Sequence, residues 1–208
     1  MRFLDCGTTP LGLYPLVDRA YKLETLYRCG VTTAQLRVKD MQGGELENEI
    51  IEAINISKKY NARFFVNDFW ELAIKHGAYG IHLGQEDMLV ADIEAIHSSN
   101  IRLGISTHTA DEIEIALGIK PSYIAIGPIY ETNSKDIEYS PTGMDDLKRW
   151  AEGVDYPIVV IGGINVDTIK PIIDTGLVDG VALIAGVLED GEISEKKTKE
   201  LIDVFSHL

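Results

Sequence analysis

At 208 residues the chain fits a single domain, 1–208, and reaches the lower end of what an eight-fold β/α barrel requires. Its 45% hydrophobic and 25% charged residues are those of a globular protein with a real core. A formal charge of −14, from 33 acidic and 19 basic residues, argues against nucleic acid or anionic membrane as partners but still permits a local cationic cleft for phosphate.

The first ten residues, MRFLDCGTTP, lack the apolar run of a signal peptide, and no uninterrupted apolar stretch approaches a membrane span, so a cytoplasmic protein is expected. Cys6 and Cys29 have no metal-like spacing and predict no disulfide framework. Cys29 stands before Gly30 at an expected helix end, where a small buried thiol is the simple reading.

From there, short β-rich apolar runs alternate with amphipathic stretches to the end of the chain. The expected strands are Leu13–Asp18, Thr33–Lys39, Arg63–Asn67, Gly80–Leu83, Arg102–Thr107, Tyr123–Ile129, Ile158–Gly162 and Gly180–Ala185. Their near-continuous Ile, Val, Leu, Ala and Tyr content suits parallel strands covered on both faces. Among the helices, Leu46–Tyr60 places Leu46, Ile50, Ala53, Ile54 and Ile56 mostly on one face. Ala110–Leu117 opens on Thr109 with Glu112 three residues later, the pattern of a capping box. Ser194–His207 reads as the closing helix. Eight β-then-α units with right-handed crossovers satisfy their edges by closing, so the predicted fold is α/β, a single (β/α)8 TIM barrel. A doubly wound open sheet is the structural rival, but no early Gly-rich dinucleotide fingerprint is present.

In a barrel of this kind, function collects at the C-terminal ends of the strands. The second strand ends with Gln35, Arg37 and Lys39, which strand alternation turns to one side. The third ends in Asn67-Asp68, the fourth leads into Gln85-Glu86-Asp87, and the fifth ends around Ser106 and His108. The sixth βα loop carries Thr132, Ser134 and Lys135. Three cations, Arg37, Lys39 and Lys135, thus meet on one rim, where unpaired charge is costly. Either they pair internally with Asp68 and Asp87, or the aspartates hold Mg2+ and a diphosphate bridges metal and cations. Gly162-Gly163-Ile164-Asn165, read as the start of a helix, offers unobstructed amides to a phosphate, and Ile184-Ala185-Gly186 would complete that site. His82 sits in an apolar strand and reads as a satisfied core histidine; His108, beside Ser106, invites an acid–base role. No Ser–His–Asp or Cys–His arrangement is evident.

The strings GLYPLVD (12–18), QLRVKD (35–40), NARFFVNDFWELAIKHGAYGIHLGQED (61–87), LGISTHT (103–109), SYIAIGPIY (122–130) and VIGGI (160–164) resemble the thiamine-phosphate synthase family, especially its enterobacterial branch. The resemblance covers nearly the whole chain in order, and HLGQED at this interval after VND is its most specific part. It implies a transferase of thiamine biosynthesis that joins a hydroxymethylpyrimidine diphosphate to a thiazole phosphate and releases pyrophosphate, with Mg2+ as cofactor. By position, it gives Asp68 and Asp87 to the metal and Arg37, Lys39, Asn67 and Lys135 to the diphosphate. Gln35 would hydrogen-bond the pyrimidine with Ser106 nearby, and Lys135, Arg37 and Ser106 would be the catalytic group. Thr132 and Ser134, with amides at Gly163, Ile184 and Ala185, would hold the thiazole phosphate. Two positions depart from the family pattern: Ser134 replaces a usual Thr and keeps the hydroxyl, whereas Ala185 replaces a usual Ser and loses it.

The implied partners are small molecules only, and self-association as a homo-oligomer stays open. The related thiazole tautomerase branch, which shares a histidine near this site, and a catalytically silent binding homologue are the alternatives. The stretch Tyr130–Thr142 is long for a βα connection and is expected to act as a lid carrying Lys135.

Overall fold

A computed structural model describes residues 2–132 and 140–205. Eight strands, β1 (Gly12–Val17), β2 (Thr33–Leu36), β3 (Arg63–Asn67), β4 (Gly80–Leu83), β5 (Arg102–Thr107), β6 (Tyr123–Ile126), β7 (Ile158–Ile161) and β8 (Gly180–Leu183), pair in parallel in sequence order and close as a barrel. Closure is made by β1 on β8, in the register Gly12 with Gly180 through Pro15 with Leu183. The barrel predicted from the strand–helix alternation is therefore the observed fold, and its strands begin within one residue of expectation.

Strand alternation divides the core into two layers. Leu13, Val17, Ala34, Leu36, Phe64, Val66, Ile81, Leu83, Ile105 and Val160 face outward into the cluster shared with the helices. Tyr14, Leu16, Phe65, Tyr123, Ala125, Val159 and Ala182 face inward and fill the barrel with Cys6 and Leu11. Every strand is covered on both faces, which is why so few polar residues interrupt these runs. Each fully buried Leu, Ile or Phe contributes about 1.5–3 kcal/mol. The inner layer is aromatic, and it needs glycines opposite: a methyl group on Gly80 would collide with the Phe65 ring, and one on Gly104 with the Tyr123 phenol. Both glycines are therefore packing residues.

The helices are α1 (Tyr21–Arg28), α2 (Gly43–Lys59), α3 (Trp70–His76), α4 (Gln85–Val90), α5 (Ile93–Ser98), α6 (Ala110–Ile119), α7 (Gly143–Ala151), α8 (Ile169–Ile173) and α9 (Glu195–Phe205). A 3-10 turn at Ala185–Val187 and a hairpin of β9 (Leu188–Glu189) with β10 (Glu192–Ile193) lead into α9. In α2 the buried face is Leu46, Ile50, Ala53, Ile54 and Ser57. Ile56 packs against the core half-buried, and Ser57, also one turn after Ala53, is fully buried with its hydroxyl satisfied at 2.7 Å by Tyr27. The capping box expected at α6 is only half made. The Thr109 hydroxyl accepts from the Glu112 amide, while the Glu112 carboxylate reaches past Thr109 to the His108 amide and ring Nδ1, 2.7 and 2.9 Å away. Both cysteines are free thiols; burial pushes Cys6 up to about 12, and Cys29 caps α1 half-buried. Among the described residues, no helix is long and apolar enough to cross a membrane.

Candidate active site at the barrel mouth

Inward alternation on β2 to β5 places Gln35, Asn67, His82 and Ser106 above the aromatic layer. Gln35 and Asn67 are buried. β2 ends at Leu36, but its alternation runs on, with the Arg37 amide on the Val17 carbonyl at 2.7 Å and Val38 buried in the outer cluster like Ala34 and Leu36; even so, Arg37 and Lys39 do not share a neighbour. They part company instead. Lys39 Nζ donates to Asp68 Oδ2 at 2.6 Å. The half-buried Arg37 lines a separate cavity of about 250 Å3 with Asp18, Lys22, Ile184 and Gly191. The Lys22 ammonium there is already held by Asp18 and the Gly191 carbonyl, 2.8 and 2.7 Å away. The third expected cation, Lys135, lies outside the described residues, as do Ser134 and most of the stretch expected to form a lid.

Asp68 follows β3 directly in a left-handed conformation, φ 65°, and its amide is held by the His82 carbonyl of β4 at 3.0 Å. That backbone choice, uncommon for a non-glycine residue, turns its carboxylate toward the next strand end. Asp87 belongs to the first turn of α4, where the exposed N-terminal amides favour a carboxylate; its Oδ2 accepts from Gly84 N at 3.3 Å. The two carboxyl groups are in hydrogen-bonding contact, and partial burial together with the Asp68 charge raises Asp87 above the usual carboxylate range. Two carboxylates forced together beside one lysine form an oxygen donor set suited to a hard divalent cation, which would relieve their repulsion. Lys39 pairs internally with Asp68, and among the described residues Asp87 feels the Lys39 charge without an ion pair of its own.

His82 is satisfied at both nitrogens, with Nδ1 2.7 Å from the Tyr123 hydroxyl and Nε2 2.8 Å from Ser106 Oγ. It bears out the core reading, yet one of its partners is a candidate site residue. Sequence inspection missed Tyr14 and Tyr123 as members of this polar group, because inside apolar strings they read as packing. Gln85 was missed too; its amide donates to the Ser106 carbonyl at 2.5 Å and ties α4 to β5. His108 is engaged by Glu112.

On the other side of the mouth lies a cavity of about 400 Å3, lined by Ser106, His108, Thr132, Gly163, Ile184 and Ala185 among others. Four glycines, Gly127, Gly162, Gly163 and Gly186, are among its lining residues. Gly162 and Gly163 have φ of 106° and 66°, and an added methyl would strike Pro128 at 2.5 Å or the Glu131 carbonyl at 2.5 Å. Only glycine fits here, by conformation and by space. The expected helix start at this point is corrected: α8 begins at Ile169, and Asn165–Thr168 form a side-chain-stapled turn in which Asn165 Oδ1 accepts from the Asp167 and Thr168 amides. An Asn side chain closes such turns locally, which delays the helix. Ile184 precedes a 3-10 turn, so the β8 end also presents backbone rather than side chain.

Residues 13–187 match the family model described as Thiamine monophosphate synthase. The chain is 48% identical over 180 residues to the thiamine-phosphate synthase of Serratia proteamaculans, covering 86% of this chain and 84% of that protein. It is 47% identical over 192 residues to the thiamine-phosphate synthase of Proteus mirabilis, covering 92% and 89%. Among solved structures, the thiamine phosphate pyrophosphorylase of Pyrococcus furiosus superposes with a TM-score of 0.82 at 29% identity, covering 95% of this chain and 96% of that one. Sequence, fold and mouth agree, and the chain belongs to the thiamine monophosphate synthase family.

Proposed function

We propose that this family member, a transferase of the thiamine-phosphate synthase type, condenses 4-amino-2-methyl-5-hydroxymethylpyrimidine diphosphate with a thiazole phosphate at the barrel mouth. The observation that carries the site assignment is the Asp68–Asp87 carboxyl pair beside Lys39, one strand end away from the buried Gln35. In this scheme the pyrimidine rests over Gln35 and Ser106, and the diphosphate lies toward Arg37, Lys39 and Asn67. Asp68 and Asp87 would hold Mg2+, which supplies compensation for charge on the departing diphosphate. The thiazole phosphate occupies the larger cavity, against the amides of Gly163, Ile184 and Ala185, with Thr132 at its rim.

The reaction breaks the bond between the exocyclic methylene carbon and the diphosphate oxygen; the thiazole nitrogen then donates its lone pair to that carbon. No proton has to be removed from the nucleophile, so the reaction asks for no general base. The protein's contribution is to hold two substrates in line and to place fixed positive charge where negative charge grows. Lys39, which donates to Asp68 at 2.6 Å, would be a cation available to the diphosphate. The tautomerase alternative rests on His108 alone, and the Glu112 contact gives that histidine a structural occupation.

Pyrophosphate release should require both substrates together with Mg2+. Release from the pyrimidine diphosphate alone at the same rate, or release unaffected by chelator, would remove the two-substrate and metal assignments respectively.

A further inference from the structure

Gln35 and Ser106 stand about the pyrimidine position on different strands, and a single buried chain of hydrogen bonds joins them through the barrel floor. Gln35 Nε2 donates to the Tyr14 hydroxyl at 3.1 Å. The Tyr14 and Tyr123 hydroxyls are 2.9 Å apart, Tyr123 is 2.7 Å from His82 Nδ1, and His82 Nε2 is 2.8 Å from Ser106 Oγ. Five strands, β2, β1, β6, β4 and β5, each contribute one member. Tyr14 and Tyr123 are 1% and 0% exposed, so bulk water cannot complete their hydrogen bonding. Burial holds both phenols well above their ordinary range, and they keep their hydrogens. Gly104 is what admits the Tyr123 phenol to this position.

Counting hydrogens gives the chain a direction. Each phenol has one hydrogen to donate. With Gln35 donating to Tyr14, each phenol hydrogen finds an acceptor only if Tyr14 donates to Tyr123 and Tyr123 donates to His82 Nδ1. His82 is then the Nε2–H tautomer and donates to Ser106, whose own hydrogen remains for a ligand. Turning the Gln35 amide over would reverse every link, ending with Ser106 donating into His82. A mixture of the two directions strands a buried hydroxyl hydrogen. Gln35 and Ser106 therefore change polarity together or not at all.

The direction matters because of what Gln35 shows the ligand. Its Oε1 is buried and has no partner among the described residues. Nε2 keeps a second hydrogen beside it. An acceptor next to a donor complements the amine and neighbouring ring nitrogen of a 4-aminopyrimidine, as amide side chains complement adenine. A 4-oxopyrimidine reverses that edge and sets oxygen against oxygen.

We infer that the Tyr14–Tyr123–His82 relay is a specificity element, fixing the Gln35 carboxamide and the Ser106 hydroxyl together so that the pocket takes a 4-aminopyrimidine and rejects its 4-oxo counterpart. This rests on the synthase assignment above, which puts the pyrimidine at Gln35. Tyr14, Tyr123 and His82 are positioning residues, acting through Gln35 and Ser106.

The test compares the inhibition constant of the 4-oxo pyrimidine diphosphate with the KM of the 4-amino substrate. In Tyr14→Phe and Tyr123→Phe, which cut the relay and keep the rings, the preference for the amino form should fall at least about ten-fold. Tyr79→Phe, which removes another phenol of the barrel floor that bonds only the Cys6 carbonyl at 3.1 Å, should keep it. An unchanged preference in both relay variants, or an equal loss in Tyr79→Phe, overturns the inference. Nitrogen-15 shifts of wild-type His82 give a second readout that needs no variant: a hydrogen on Nε2 is expected, and one on Nδ1 overturns the direction. A wild type that binds both analogues but forms no thiamine phosphate would sink the synthase assignment and leave the dissociation constants of the two analogues and the His82 shifts to decide the relay.

Discussion

The two sides of the barrel mouth are furnished differently. Along β2 to β5 the strand ends carry side chains with charge or amide groups: Gln35, Arg37, Lys39, Asn67, Asp68 and, through α4, Asp87. Along β6 to β8 they carry backbone: the paired glycines at 162–163, the turn at 165–168 and the 3-10 turn after Ile184. The first side can gather a cation and a highly charged diphosphate, which needs compensating charge. The second offers oriented amides, enough for a phosphate monoester that stays bound throughout and changes charge little. A reaction whose charge develops on the diphosphate is matched, among the described residues, by the carboxyl pair and the cations gathered along β2 to β5.

The largest expected effect breaks the charged side. Asp68→Ala or Asp87→Ala should lower kcat by about 10²–10³-fold, the usual cost of losing a preorganised electrostatic partner. Pyrophosphate release at saturating substrates measures this, and turnover within a few-fold of wild type in either variant would detach the carboxyl pair from the chemistry. Thermal unfolding sharpens the point without catalysis. Mg2+ should raise the Tm of the wild type and not that of Asp87→Asn, because a ligand stabilises only the state that binds it.

The backbone side should break by geometry. In Gly163→Ala the new methyl meets the Glu131 carbonyl at a backbone conformation with φ 66°. Strain of this kind costs about 1–3 kcal/mol, so the KM for the thiazole phosphate should rise roughly 10- to 100-fold. The KM for the pyrimidine diphosphate should change far less; equal increases in both would erase the distinction between the two sides.

The same division decides what could be read from sequence. Strand identities were legible because strands buried on both faces are written as unbroken apolar runs, and Asp68 and Asp87 were legible because charge at a strand end stands out. Arg37 and Lys39 were read from an alternation that does run past Leu36, but alternation does not say which neighbour each long side chain meets: Arg37 lines one cavity and Lys39 pairs with Asp68. The helix start read at 162–165 falls instead at Ile169, because the Asn165 side chain first closes a turn on the Asp167 and Thr168 amides. Tyr14 and Tyr123 were invisible as polar residues, since only the closed barrel brings a residue of β1 within 2.9 Å of one on β6. Contacts across the barrel follow from closure, and no local pattern encodes them.

The smallest expected effect lies at Ala185, exposed on the wall of the larger cavity. Family resemblance places a serine hydroxyl here, and its loss leaves the phosphate one donor short unless backbone supplies the difference. The 3-10 turn over Ala185–Val187 turns this stretch of main chain over the cavity, and Gly186 approaches the Ile164 carbonyl closely enough that an added methyl would sit 3.0 Å from it. The β7 and β8 ends thus meet at one place, and a hydroxyl added there makes one further exposed hydrogen bond worth about 1 kcal/mol. Ala185→Ser should accordingly lower the KM for the thiazole phosphate by about five-fold and leave kcat unchanged. An unchanged KM would mean that the backbone already saturates the phosphate oxygens on this side; a changed kcat would mean that the phosphate side takes part in the chemical step, against the one-sided distribution of charge.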